Sequence, residues 1–397
     1  MRKVPVRLGA GNSYEIEIGA GALGAVGQTA RRVLPANARR IALISNQRVF
    51  ELYGARVEES LRESGFQVAH WLMGDGERHK SLRTLGRAVE FLSASGLERS
   101  DGVVAVGGGV VGDLAGFAAA VYLRGMAFVQ APTTLLAQID ASVGGKTAVN
   151  TRHGKNLIGA FHQPRAVVID TETLQTLPTR ELTAGWCEAL KQGAVGSRRL
   201  FEGTHRFLVD EKAADQASAV EHGQSVDLKS KAGRDDQRES QLIELIAQQC
   251  AFKAKIVAQD ERESVVRTDR LSRRILNFGH TVGHALEAVT EYRRFRHGEA
   301  VGYGMLVAGE ISHRLGWLAA AELESLRSGV RLAGRLPRAD DLSPASITRA
   351  LAGDKKAVGG QVQWVLLEEI GRARIAGGEQ FPPRVVRDSL EAVLHGR

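Results

Sequence analysis

Val103-Val104-Ala105-Val106-Gly107-Gly108-Gly109-Val110-Val111-Gly112-Asp113 decides the fold. A short apolar, β-branched run reads as a buried strand, the glycines after it as a turn, and Val110 onward as the start of a helix. The G-x-G-x-x-G spacing at that junction lets backbone approach a pyrophosphate, and the helix start offers N–H groups and a positive dipole end to phosphate oxygens. The longer apolar run from Gly102 to Leu123 approaches membrane-spanning length. Asp113 near its centre and its many glycines fit a buried strand, turn and helix better than a bilayer. The following strand ends in Gln130-Ala131-Pro132, without the acidic residue that usually holds a ribose. On residues alone the passage is therefore either a nucleotide cradle or a tight strand-to-helix turn.

Working outward, further strands are predicted at 40–45, 67–73, 128–131 and 166–170, with helices over 49–64 and 81–95 and a turn-rich Gly74-Asp75-Gly76-Glu77-Arg78-His79-Lys80 between. Strands alternating with helical patterns signal βαβ units and a mostly parallel sheet. From about residue 181 helical patterns dominate, apart from a late strand pair at 362–367 and 373–375. The expected architecture is an N-terminal α/β, Rossmann-like domain over 1–178 and a mainly α-helical C-terminal domain over 179–397, with the boundary near Pro178. Residues 213–239 are polar and charge-rich, too poor in large apolar side chains to bury a core, and read as a surface loop or frayed helix.

The 397 residues are 43% hydrophobic and 25% charged, a globular composition with room for two cores. A net charge of +8 and a pI near 9.6 would attract polyanions or favour a small anionic substrate. Only 5% of residues are aromatic and the basic residues are scattered, which argues against nucleic-acid binding. Two cysteines, Cys187 and Cys250, without paired spacing, point to a reducing compartment. The first five residues lack a signal peptide's apolar core, so a cytoplasmic enzyme with no membrane partner is the expectation.

The block Leu276-Asn277-Phe278-Gly279-His280-Thr281-Val282-Gly283-His284-Ala285-Leu286-Glu287, followed by His297-Gly298-Glu299, concentrates three of the chain's 11 histidines. His280 and His284, four apart, share a helical face, and His297 can return from the next turn. Together they are either nitrogen ligands for a divalent metal or a satisfied polar face. Asp140-Ala141-Ser142-Val143-Gly144-Gly145-Lys146, with Lys155-Asn156 beyond it, sets lysines beside glycine-rich backbone, as an anion site or as a surface loop. Glu188, in a small and apolar stretch with Lys191 three residues on, is an oxygen ligand to join the histidines or half of an intrahelical charge pair.

Five ordered motifs then carry a resemblance that runs from about residue 10 to residue 380. They are Gly107 to Phe117, Pro132-Thr133-Thr134-Leu135-Leu136-Ala137-Gln138-Ile139-Asp140, Gly144-Gly145-Lys146-Thr147, Lys155-Asn156-Leu157-Ile158-Gly159-Ala160-Phe161, and the histidine block. In these the chain resembles the 3-dehydroquinate synthases of the sugar phosphate cyclase superfamily. The resemblance implies a carbon–oxygen lyase that uses NAD and one divalent ion, zinc or cobalt, on 3-deoxy-D-arabino-heptulosonate 7-phosphate. It implies transient oxidation of the C5 hydroxyl, elimination of phosphate with the phosphate itself as base, re-reduction, ring opening and aldol closure to 3-dehydroquinate.

By the same resemblance the metal ligands are Glu188, His280 and His297, with His284 in the site but off the ion. This departs from the spacing argument, which takes both His280 and His284. Implied NAD contacts are Asp75, Gly76, Glu77, Arg78, His79 and Lys80, then Gly109, Val110, Val111, Gly112 and Asp113, then Thr133, Thr134, Lys146 and Lys155, and finally Thr173, Leu174, Gln175 and Thr176. Implied substrate contacts are Asp140, Lys146, Lys155, Asn156, Lys191, Lys253, Arg273, Asn277, His284, Lys355 and Lys356. Of these His284, Lys146, Lys191, Arg273 and Asn277 carry catalytic roles. Arg124 resembles an arginine that reaches the phosphate across a homodimer interface.

The stretches from Lys191 to Lys253 and from Asp260 to Arg273 are longer than the family pattern, which puts the placement of Lys253 and Arg273 in doubt. Trp186 and Cys187 beside Glu188, and Ala148 after Lys146-Thr147, are smaller departures. Rival readings are another sugar phosphate cyclase, such as an aminodehydroquinate or 2-deoxy-scyllo-inosose synthase, and a metal-dependent polyol or glycerol-phosphate dehydrogenase. Arg273 and Asn277 favour a carboxylated substrate over the first. A non-catalytic binding protein loses ground because Glu188, Lys146 and the three histidines are all present.

Overall fold

The structure of the chain is a computed structural model that describes residues 1–9, 11–220, 228–352 and 362–396, without the side chains of 215, 217–220, 228–234 and 352. The chain divides into two compact units, Met1–Leu177 with Gln237–Ala258, and Pro178–Asp236 with Gln259–Arg397. A single cut at Pro178 is thus crossed once, by the segment Gln237–Ala258.

In chain order the strands of the first unit are β1 (Arg2–Val6), β2 (Tyr14–Gly19), β3 (Arg40–Asn46), β4 (Gln67–Met73), β5 (Gly102–Gly107), β6 (Ala127–Pro132), β7 (Lys146–Thr151), β8 (Gly154–Phe161) and β9 (Ala166–Asp170). Seven of them form one sheet in the order β1-β2-β9-β6-β5-β3-β4, and β7 and β8 form a separate antiparallel hairpin. Only the β1–β2 pair is antiparallel within the large sheet. Every residue of β5 is buried, and its neighbours alternate between two cores. Ala42, Ile44, Val103 and Ala105 pack with Leu114, Phe117 and Phe128 on one face, and Ile41, Leu43, Val104 and Val106 with Val26, Leu61 and Val129 on the other. A sheet covered on both faces needs continuous apolar strands, which explains the Val-Val-Ala-Val run. Fully buried side chains such as Phe128 and Leu114 stabilise the sheet by roughly 1.5–3 kcal/mol each.

Strands β3, β4, β5, β6 and β9 lie where the alternation places them, β4 and β9 with the expected bounds, whereas β2, which pairs in parallel with β9, is not predicted. The β1–β2 and β7–β8 hairpins are not among the strands the sequence predicts. β1 is a short edge strand that opens on two adjacent basic residues and holds Pro5, a weak strand signal. Strand β8 leaves Leu157, Ile158 and Phe161 exposed, so its Gly-Lys-Asn start reads as a loop in sequence.

The second unit is mainly helical, with Thr179–Gly196, Arg198–Val220, His280–Val289, His297–Arg314, Ala320–Ala333, Pro344–Ala352 and Pro383–His395, plus a hairpin of β10 (Gln363–Glu369) and β11 (Arg372–Gly377). The polar stretch 213–239 is not a loop where it is described: helices Arg198–Val220 and Leu228–Gln259 cover it on both sides of residues 221–227. Its Ala, Lys, Glu, Gln and Arg content suits helix without any apolar face. No helix among the described residues is long and apolar enough to cross a membrane.

Candidate active site

Three helices of the second unit bring the histidines and Glu188 together. Glu188 sits within Thr179–Gly196, His280 and His284 lie one turn apart on His280–Val289, and His297 opens His297–Arg314. Backbones this close require glycine at the crossings. A Cβ on Gly298 would fall 2.0 Å from Ala184 O, and one on Gly304 would fall 1.8 Å from Gly279 O. The start of the third helix is fixed by Glu299, fully buried, which accepts from Arg296 N at 2.7 Å and from Arg180 Nε and Nη2 at 2.8 and 2.6 Å. His297 is thereby held at the first helical position.

One nitrogen of each of His280, His284 and His297 lies within 4.8 Å of the others. Glu188 is fully buried, and its Oε1 stands 3.9 Å from His280 Nε2 and 3.7 Å from His297 Nε2, while Oε2 is bonded by Lys191 Nζ. Bonds of about 2.0–2.1 Å in a tetrahedron separate neighbouring ligand atoms by roughly 3.3 Å, so these gaps need only a slight contraction around a cation. The far ring nitrogens are already anchored. His297 Nδ1 donates to Glu287 Oε2 at 3.1 Å and His280 Nδ1 to Phe278 O at 3.3 Å. Since carboxylate and carbonyl only accept, both rings carry their proton on Nδ1 and turn the Nε2 lone pair toward Glu188. The donor set and its supports fit a divalent metal. Cys187 lies beside Glu188 on the same helix, and burial, with Glu188 and Glu299 nearby, pushes its thiol up.

Arg273 and Asn277 lie on the turn Arg273–Asn277, which packs on the Glu188 helix. Arg273 is buried and donates from Nη1 to Glu261 O at 2.9 Å, and Asn277 Nδ2 donates to Glu263 Oε1 at 3.2 Å. Both partners lie in the long Asp260-to-Arg273 link, so that link braces the turn. Lys355 and Lys356 lie outside the described residues.

In the first unit four of the segments implied to hold NAD leave the carboxyl edge of the mostly parallel sheet, while Lys146 and Lys155 stand on the β7–β8 hairpin. Asp75 to Lys80 follow β4, Gly109 to Asp113 follow β5, Thr133 and Thr134 follow β6, and Thr173 to Thr176 follow β9. The chain order reverses between β3 and β5, the place where such sheets bind ligands. Gly108 precedes the first turn of helix Gly109–Val121, and a Cβ there would meet Thr134 Cγ2 at 3.0 Å. The edge therefore offers bare backbone and helix N–H groups, a donor set that fits a dinucleotide's phosphates.

The side chains at this edge form one network. Lys80, 3% exposed, bonds Asp113 Oδ2 and donates to Asn156 Oδ1 at 2.5 Å. Burial pushes the Asp113 carboxyl up, against the pull of the Lys80 ammonium. Asn150 Nδ2 donates to Glu77 Oε1 at 2.7 Å, and its Oδ1 accepts from Asn156 N at 2.9 Å. Lys253 bonds both the carboxylate and the backbone carbonyl of Asp140, which keeps it in place despite the long stretch before it. Lys146 and Lys155 stand on β7 and β8 rather than in a loop. Arg124 is set apart: it follows helix Gly109–Val121 at the end away from the glycine turn, about 20 Å along at 1.5 Å per residue.

Sequence reasoning missed Glu287, Gln138 and Asn150. Glu287 shares the face of His280 and His284 by helical spacing, a legible signal. Gln138 is fully buried and its Nε2 reaches Pro132 O, Asp170 O and Thr173 Oγ1 at 3.1–3.3 Å, tying two of the edge segments together. Neither it nor Asn150 carries any pattern that a sequence displays.

Two family models match the chain: 3-dehydroquinate synthase N-terminal over residues 70–184, and 3-dehydroquinate synthase C-terminal over residues 185–357. A 3-dehydroquinate synthase of Pelotomaculum thermopropionicum is 45% identical over 383 residues, covering 95% of this chain and 94% of that relative. Among solved structures, 2-epi-5-epi-valiolone synthase from Streptomyces hygroscopicus subsp. jinggangensis 5008, with NAD+ and Zn2+ bound, matches at TM-score 0.79 and 26% identity over 97% of both chains. A 2-deoxy-scyllo-inosose synthase complexed with carbaglucose-6-phosphate, NAD+ and Co2+ matches at TM-score 0.77 and 24% identity, covering 98% of this chain and 99% of that one, a likeness of fold.

Proposed function

The chain belongs to the 3-dehydroquinate synthase family, and from that premise we propose that it converts 3-deoxy-D-arabino-heptulosonate 7-phosphate to 3-dehydroquinate and phosphate. The observation that carries the reading is the convergence of Glu188 Oε1 with the Nε2 atoms of His280 and His297, each ring fixed from its far side. Glu188, His280 and His297 hold one divalent ion, zinc or cobalt. The carboxyl-edge segments Asp75 to Lys80, Gly109 to Asp113, Thr133, Thr134 and Thr173 to Thr176 hold NAD. A nicotinamide held there would supply reversible hydride transfer, and an ion held by Glu188, His280 and His297 would supply Lewis acidity.

The chain's own residues bind and orient the acidic sugar. Arg273 offers the planar fork that suits a carboxylate, and Asn277 beside it donates a hydrogen bond. Lys146, Lys155, Asn156 and Lys253 compensate negative charge on the phosphate and the ring oxygens, and Asp140 holds Lys253 for that task. Lys191 holds the Glu188 carboxylate in its orientation through Oε2, and itself reaches the substrate. His284, its ring centre 5.4 Å from that of His280 and 5.7 Å from that of His297, holds a proton beside the ion for a substrate oxygen. A second copy of the chain supplies Arg124 to the phosphate. In support, Arg124 and Leu123 adopt positive φ values of 63° and 48°, and Leu123, Leu157, Ile158 and Phe161 are exposed apolar side chains of the same unit.

Phosphate release tests the reading. The metal-loaded protein with NAD should release phosphate from 3-deoxy-D-arabino-heptulosonate 7-phosphate and not from glucose 6-phosphate. Preference for glucose 6-phosphate would instead assign another cyclase activity.

A further inference from the structure

Asn150 is not one of the residues assigned above to metal, cofactor or sugar by resemblance, yet it hydrogen-bonds to residues of both the cofactor turn and the sugar-phosphate hairpin. It lies on β7, where its backbone N donates to Lys80 O at 2.8 Å and bridges the strand to Ser81. Its carboxamide then works in both directions. Nδ2 donates to Glu77 Oε1 at 2.7 Å, in the turn after β4, and Oδ1 accepts from Asn156 N at 2.9 Å, in the hairpin that carries Lys155. Asn156 has φ 55°, a left-handed backbone that a residue with a Cβ adopts only when something holds it. Two hydrogen bonds hold this one, the Asn150 carbonyl on its N–H and the buried Lys80 ammonium on its Oδ1.

A carboxamide carries its donor and its acceptor on separate atoms, so it can give to one partner and take from another at once. Aspartate would repel Glu77, and alanine would leave the Asn156 N–H and the Glu77 carboxylate to find other partners. We propose that Asn150 is a positioning residue that couples the cofactor turn to the sugar-phosphate hairpin, so that a dinucleotide engaging Glu77 and Lys80 sets Lys155 and Asn156 for the sugar phosphate. The proposal rests on the functional reading above. Its consequence is reciprocal: each ligand raises the affinity for the other by the same factor, because coupling is a single free energy.

The test uses NADH, which cannot oxidise the sugar, so both ligands can be bound without turnover. Calorimetric titration of the zinc-loaded protein with 3-deoxy-D-arabino-heptulosonate 7-phosphate, with and without saturating NADH, gives the coupling ratio. The parent should show a ratio on the order of tenfold. Asn150→Ala should bring it close to one, with zinc content unchanged. A ratio retained in Asn150→Ala, or a parent ratio of one, overturns the proposal whatever happens to thermal stability, which a merely structural role would move instead. Should Asn150→Ala not fold, Asn150→Asp decides by the same ratio, since it keeps the acceptor for Asn156 N–H and loses the donor to Glu77. Absence of phosphate release by the parent would count against the functional reading and is measured separately.

Discussion

His297 is gripped at both nitrogens, by Glu287 on one side and toward Glu188 on the other. Buried at 2% exposure, Glu287 acts on a bound ion through that ring. Glu287→Gln should keep the fold and weaken metal affinity by roughly 10–100-fold, read as metal retained after dialysis against a graded chelator. His280→Ala should lose metal and activity together, and a fully active, metal-bearing His280→Ala protein would remove it from the ligand set. A third residue speaks to stability. Although burial pushes the Asp101 carboxyl up, backbone N–H groups of Glu98, Arg39 and Arg40 hold it below the usual carboxylate range. A depressed folded value means its contribution is complete above the ordinary aspartate range and is lost as pH falls through the folded value. Asp101→Asn should destabilise the protein by about 1–3 kcal/mol at neutral pH, and the difference from the parent should shrink in acid melts. An undiminished difference in acid would contradict the assignment.

The geometry of the proposed metal centre belongs to helices rather than to single residues. Gly304→Ala would drive a methyl into Gly279 O, the residue that caps the His280 helix with φ 79°. It should cost on the order of 1–3 kcal/mol or more and lower zinc retention, although no ligand is changed. Thermal melts with and without zinc measure both. This layer also shows what a sequence displays. The buried parallel strands were legible because a sheet covered on both faces demands continuous Val, Ile and Ala, and the three histidines because helical spacing sets two of them on one face. What stayed hidden depends on contacts distant in the chain. Hairpin β7–β8 packs by tertiary context and exposes half its apolar residues, and Asn150 and Gln138 gain meaning only from the partners that folding brings to them.

For the whole molecule, a charge of +8 suits an acidic sugar phosphate, and Arg124 stands beyond the helix that carries its own chain's glycine turn. Complementation between copies follows. Arg124→Ala and His280→Ala proteins, each nearly inactive, should regain activity on mixing and refolding together, since a hybrid pairs an intact metal centre with a partner arginine. Mixtures as inactive as their parts would leave Arg124 no role across copies. The most direct test of the central claim counts phosphate and NADH together. With NAD far below the sugar, the metal-loaded protein should release many phosphates per NAD while absorbance at 340 nm shows no NADH accumulating, and a chelator should stop the release. NADH rising in step with substrate consumed, with no phosphate set free, would contradict the account.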